Sequence, residues 1–173
     1  MTNFGIELRF SIPSASTGNS QAQLDPGDSL GGYAATTVWS GGSIPLFEDD
    51  NLTGTTVYRC LFAANSGSYY TLRTASVYIN GTQPGTAIIA LGVDPSPASA
   101  LNAAAYQAQT VVDEASAPTG VPFSSPSYGT AALVLGDLAP MTCRGFWVRR
   151  VSTGTVPAAD QTVTIRLNGT LTL

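Results

Sequence analysis

Hydrophobic and polar residues alternate along several separate stretches of this chain. In FGIELRFSI (4–12), Ile6, Leu8 and Phe10 fall on one side and Glu7 and Arg9 on the other. A period of two predicts a half-buried strand. TVYRCLFAA (56–64) and YYTLRTASVYI (69–79), rich in β-branched and aromatic residues and split by the turn NSGS, predict two stronger strands. TAIIALGV (86–93), AALVLGDL (131–138), TCRGFWVRRV (142–151) and QTVTIRLNGTLTL (161–173) predict four more. The residues between them are punctuation. A polar loop (14–33) carries DPGD and GG; Val38, Trp39, Ile44, Leu46 and Phe47 surround a Gly-Gly-Ser turn; EDDNLTGT (48–55) is an acidic turn. Residues 94–130 are Pro-rich and lack a clear period, and 97–107 admits a short helix with Pro97 at its start.

About seven strands with turns every ~8–12 residues predict an all-β sandwich. The expectation is one domain, 1–173. Residues 1–30 form an N-terminal strand or arm and its loop, and 94–130 form a Pro-rich insertion. Because the first strand precedes a loop rich in Gly, Ser, Asp and Gln, it is expected to work at the edge of its own fold, or outside it by adding to a neighbour's sheet.

The strand TCRGFWVRR is unusual. Phe146 and Val148 share a face with Arg144 and Arg150, while Cys143, Gly145, Trp147 and Arg149 share the other. Large apolar residues on both faces imply cover on both. One cover is the second sheet; the other is the 14–47 region or another subunit.

Composition narrows the chemistry. Only 10% of residues are charged, the net charge is −4, and all seven basic residues are Arg, with no Lys and no His. This excludes a His–Cys zinc set, a Ser-His-Asp triad, a P-loop lysine and a Schiff base. There is no basic surplus of the kind that binds nucleic acid. No apolar run is long enough to span a membrane, and residues 1–12 lack the pattern of a signal peptide. Synthesis in the cytoplasm is therefore expected, with Cys60 and Cys143 initially reduced. Depletion of Lys alongside Arg and aromatic residues is also a mark of interfaces.

Several residues are candidates for function, each with a structural alternative. Cys60 and Cys143 fall in core strands, as a disulfide between facing strands or as two buried thiols. Glu48, Asp49 and Asp50 make a calcium-binding turn, a contact to a neighbour's arginine, or a solvated turn; the Asp-x-Asp-x-Asp-Gly spacing of a calcium loop is absent. Asp113 and Glu114 point to opposite faces of a strand, so they are no glycosidase pair. Arg149 and Arg150 are either bidentate contacts to a partner or solvated strand-end charges. Trp39 and Trp147, with Tyr69 and Tyr70, are a sugar platform or core and interface anchors. No cofactor and no metal is expected.

Two resemblances come from the strands themselves. VYRCLFAANSGSYYTLRTASVYI together with LVLGDLAPMTCRGFWVRRV resembles the core of immunoglobulin-like modules, where a strand ends at an Asn-x-Gly turn and a Leu-Gly-x-Leu-Ala-Pro corner leads into the penultimate strand. Here that corner is Leu135, Gly136, Leu138, Ala139 and Pro140. The order CLFAAN, ASVYI, ALGVDP, APTGVPFSSP, LGDLAP, CRGFWVRRV, VTIRLNGTL is similar to virion structural proteins of tailed bacteriophages, over about residues 30–169. This resemblance implies a virion location, assembly in the host cytoplasm, and contacts with other virion proteins and with further copies of the chain. It implies a non-enzymatic role. The expected role is capsid decoration or cement. The alternatives are a neck, tail or baseplate adaptor or fibre-attachment protein, or a receptor- or glycan-binding module. Arg149, Arg150, Trp39, Glu48, Asp49 and Asp50 are the expected interface residues.

Overall fold

A computed structural model describes residues 5–12, 29–38, 46–47, 54–81, 85, 87–127, 132–153 and 163–173. Among these the chain is all-β. Its strands are β1 (Ile6–Ile12), β2 (Gly31–Val38), β3 (Thr56–Asn65), β4 (Thr71–Asn80), β5 (Ala87–Val93), β6 (Ser99–Ala100), β7 (Ala108–Thr110), β8 (Leu133–Leu138), β9 (Thr142–Ser152) and β10 (Thr164–Thr172). No helix forms over 97–107; β6 and a series of turns stand there instead. Ser and Pro break the run of alanines, and of its apolar residues Leu101 packs into the core on the outer face of β9.

The strands make two antiparallel sheets. The larger has the order β5-β9-β3-β1-β2-β7, with β6 also on β9; the smaller has the order β10-β4-β8. At the centre β3 and β9 pair without interruption from Thr56↔Val151 to Asn65↔Thr142. Their alternation then sorts two cores. Leu61, Ala63, Phe146 and Val148 point to the smaller sheet and meet Leu72, Val77, Ile79, Leu135, Leu138 and Ile165. Cys60, Phe62, Ala64, Cys143 and Trp147 point the other way. Their cover is chiefly the Pro-rich segment, through Leu101, Ala108, Val111, Val121 and Phe123, with Ala34 of β2. Among the described residues, the second layer expected from the 14–47 region or another subunit is built by the chain's own insertion together with Ala34 of the 14–47 region.

That insertion also ties the two sheets together. Ser124 bridges Leu91 of the larger sheet and Ser127 bridges Ile79 of the smaller. The approach is close enough that β5 needs a glycine. A Cβ on Gly92 would lie 2.4 Å from Val121 Cγ1 and 2.8 Å from the Pro122 carbonyl oxygen.

Strand β1 corrects the expectation of an arm. It lies inside the larger sheet, paired with β3 on one side and β2 on the other. Phe10 and Ile12 enter the main core, and Ile6 and Leu8 pack against it. A strand hydrogen-bonded on both edges is not available to a neighbour's sheet.

Candidate contact surfaces

The β9 arginines divide between the two faces. Arg150, 5% exposed, turns inward with its guanidinium carbon 5.2 Å from the centre of the Phe47 ring. Arg59 of β3 lies 5.7 Å from the same ring, ion-pairs with Glu114 and donates to the Tyr58 carbonyl at 3.0 Å. Arg149 turns outward onto Phe123 at 5.0 Å, a ring that also meets Tyr58. Stacking on aromatic faces suits the weakly hydrated guanidinium. Arg149 and Arg150, both expected at an interface, thus stand on opposite faces of β9, as their alternation predicts. Successive strand residues point to opposite faces, and each guanidinium here is taken up by an aromatic ring of its own chain. Trp39, Glu48, Asp49 and Asp50 lie outside the described residues; the acidic run directly follows Phe47 in sequence. Among the described residues no group of three His, Cys, Asp or Glu is placed to hold a metal.

Cys60 and Cys143 are both buried and free. They lie in neighbouring strands of one sheet. Cys60 faces Trp147 and Cys143 faces Ala64. Four residues of offset is ~13 Å along the strands, beyond disulfide reach. Facing strands of opposite sheets, which the disulfide reading required, are not where they sit. Burial pushes the Cys60 thiol well above its usual 9.0, and burial pushes Cys143 up to about 11. Neither thiol should react with an aromatic disulfide reagent in the native protein near pH ~8, and both should react once the chain is unfolded. The linkage has a definite sign. Above 9.0 an unfolded thiol loses its proton while the buried ones keep theirs, so the folded state binds more protons. Stability is full below that value and falls as pH rises toward 11, by about 1.4 kcal/mol per pH unit for each thiol. Denaturant melts across this window check it, and Cys143→Ala should flatten the slope.

Trp147 is fully buried, which removes it from any sugar platform. Its Nε1 donates to Asp94 Oδ2 at 2.7 Å. Asp94, also fully buried, accepts from the Ser96 amide at 2.9 Å and the Gln109 amide at 3.3 Å. The Pro-rich, aperiodic pattern of 94–130 does not single out this anchor. The available signal was an Asp followed two residues later by Ser, a spacing that closes an Asx-turn.

One end of the molecule gathers exposed apolar residues. The β3–β4 turn presents Tyr69, 79% exposed, and Tyr70; the corner after β8 presents Met141; Leu173 follows β10 and is 92% exposed. They lie together because Asn65 holds the loops. Its Nδ2 donates to the Tyr70 carbonyl at 2.7 Å and the Leu138 carbonyl at 3.0 Å, and its Oδ1 accepts from the Gly67 amide. The Met141 amide donates to the Gly67 carbonyl, and Thr172 of β10 faces Thr71 of β4. Residues 65–72, 138–143 and 171–173 contain no Asp, Glu, Lys or Arg; the exposed Arg73–Asp137 ion pair borders them, and Arg73 Nε donates to Thr172 Oγ1 at 3.4 Å. Met141 is also held at a φ of 58°, rare for a residue other than glycine. Tyr69 and Tyr70 were singled out from sequence, whereas Met141 and Leu173 join them only through the fold.

No protein-family profile, no curated protein and no solved structure matches this chain.

Proposed function

We propose that this chain is a non-enzymatic structural component of a bacteriophage virion, assembled in the host cytoplasm. Its most favoured place is as a capsid decoration or cement protein that stabilises the particle by burying surface against its neighbours. Two facing antiparallel sheets support a sandwich, with an immunoglobulin-like one as the finer reading of the fold. The observation that carries the functional reading is the apolar end formed by Tyr69, Tyr70 and Met141, bordered by the Arg73–Asp137 ion pair. Interface cores are depleted of charge and enriched in Tyr and Met, and tyrosines dominate binding energy where they seat in a partner. The loops that present them are fastened by Asn65, so little ordering entropy opposes docking.

The test is incorporation into phage particles that lack the protein. Tyr69→Asp combined with Met141→Asp should reduce bound copies by about tenfold or more, the effect of ~1.4 kcal/mol of binding or greater. The thermal midpoint of the isolated variant should stay unchanged, because both side chains are exposed. Equal occupancy by parent and variant overturns the reading. Occupancy also separates capsid from neck or tail. On the order of hundreds of copies fit decoration, whereas about six or twelve fit a ring on a symmetry axis.

A further inference from the structure

We propose that β10 is a self-pairing edge, through which a second copy of this chain adds antiparallel about a two-fold axis at Asn168. The proposal stands apart from the virion reading and needs no other partner.

β10 ends the smaller sheet, and among the described residues nothing pairs with its outer side. It offers nine residues, TIRLNGTLT, with no proline and one charge, Arg166. The other edges are blunted. β8 has two register irregularities against β4 and carries Gly136 at a φ of 89°. β5 is engaged by Ser124, and β7 is three residues long. An edge without such devices is a template for another strand.

β10 itself is regular. The one irregularity in its ladder lies between the pairs Asn168↔Ser76 and Thr170↔Arg73. One residue of β10, Gly169, there faces two of β4, Thr74 and Ala75, and Thr74 takes up the extra length at a φ of 49°. The bulge therefore belongs to β4, and alternation along β10 is unbroken. Ile165, Leu167 and Leu171 face the core, while Thr164, Arg166, Asn168 and Thr170 face out and are exposed.

The strand is complementary to its own reverse. With Asn168 opposite itself all nine residues overlap. Thr164 meets Thr172 of the second copy, Arg166 meets Thr170, and Ile165 meets Leu171, so no like charges face each other. Leu167 meets Gly169 of the second copy, where a bulky residue finds an empty position. Gly169 is glycine for a reason within its own fold, since a Cβ there would lie 2.7 Å from Leu72 Cδ1. A register centred on Arg166 sets two guanidinia face to face. Registers offset by one residue set core-facing side chains against solvent-facing ones. The Asn168 register avoids both and joins the two smaller sheets into one continuous sheet with an isologous contact.

The experiment is sedimentation equilibrium on the full chain. The parent protein should form a concentration-dependent dimer. Asn168→Asp and Asn168→Lys should each weaken dimerisation by about tenfold or more, because each sets two like charges directly opposite. An equimolar mixture of the two variants should restore a mixed dimer. Asn168 is exposed, so at concentrations too low for dimerisation each variant keeps the parent's thermal midpoint. Thr170→Glu gives an independent check, since it sets a carboxylate opposite Arg166 of the second copy and should tighten the dimer. A parent protein that stays monomeric to about 1 mM overturns the proposal. So does undiminished dimerisation of either Asn168 variant, a mixture that remains monomeric, or no tightening by Thr170→Glu.

Discussion

Removing residues 1–12 should leave a chain with no cooperative thermal transition and a far-UV spectrum of an unfolded protein. β1 is paired on both edges, from Ile6↔Asn65 to Phe10↔Leu61 with β3 and through Ser11↔Ala34 and Ile12↔Tyr33 with β2. Its loss leaves both neighbours with unpaired backbone groups in the middle of a sheet. It also empties the core of Phe10 and Ile12 and strips the packing of Ile6 and Leu8. Each large buried side chain removed from a core costs about 2–5 kcal/mol. Two of them, with the lost ladder, match or exceed the ~5–15 kcal/mol that holds a typical domain folded. A truncated chain that still melts cooperatively would put β1 outside the fold and return it to the role of a docking arm.

The strands that were legible in the sequence are those whose alternation is set by the main core. β3, β4, β5, β8, β9 and β10 fall within three residues of the runs expected for them, because Val77 and Ile79, or Phe146 and Val148, must share a face wherever the sheet lies. The double-sided burial of β9 was legible too, from Phe146 beside Trp147. What covers its outer face was not. Leu101, Ala108, Val111, Val121 and Phe123 are spread irregularly among Ser, Pro and Ala, so no period announces them. β2 was hidden for a different reason. Gly31 and Gly32 read as a turn, yet β7 packs so near that a Cβ on Gly31 would lie 1.8 Å from the Gln109 carbonyl oxygen. Gly31 serves close approach within a strand. The contact surfaces were least legible. A side chain's exposure depends on which loops the fold brings together, and Tyr69 and Met141 are far apart in sequence.

Asp94→Ala should lower stability by about 3–5 kcal/mol in denaturant melts, the largest loss expected from one substitution outside the main core. The carboxylate is fully buried, and N–H groups hold it: Trp147 Nε1 at 2.7 Å, the Ser96 amide at 2.9 Å and the Gln109 amide at 3.3 Å. Alanine leaves all three without this acceptor; the buried Trp147 N–H is orphaned at about 1–3 kcal/mol, and the part-buried Ser96 and Gln109 amides lose bonds of about 1 kcal/mol each. Relief from burying the carboxylate offsets part of that sum, which places the expected loss at the lower end of the range. Asp94→Asn keeps the shape but turns one oxygen into a donor facing another donor, and should cost about 1–3 kcal/mol. The damage should be local first. Gln109 also holds Thr119 through both ends of its amide, so the layer over Trp147 is fastened at Asp94 and at this second clasp. Hydrogen exchange should quicken at Gln109 and Thr119 in Asp94→Asn while β3 and β9 stay protected. A loss below about 0.5 kcal/mol for the alanine variant would mean that solvent reaches this carboxylate, and that the insertion is not anchored through it.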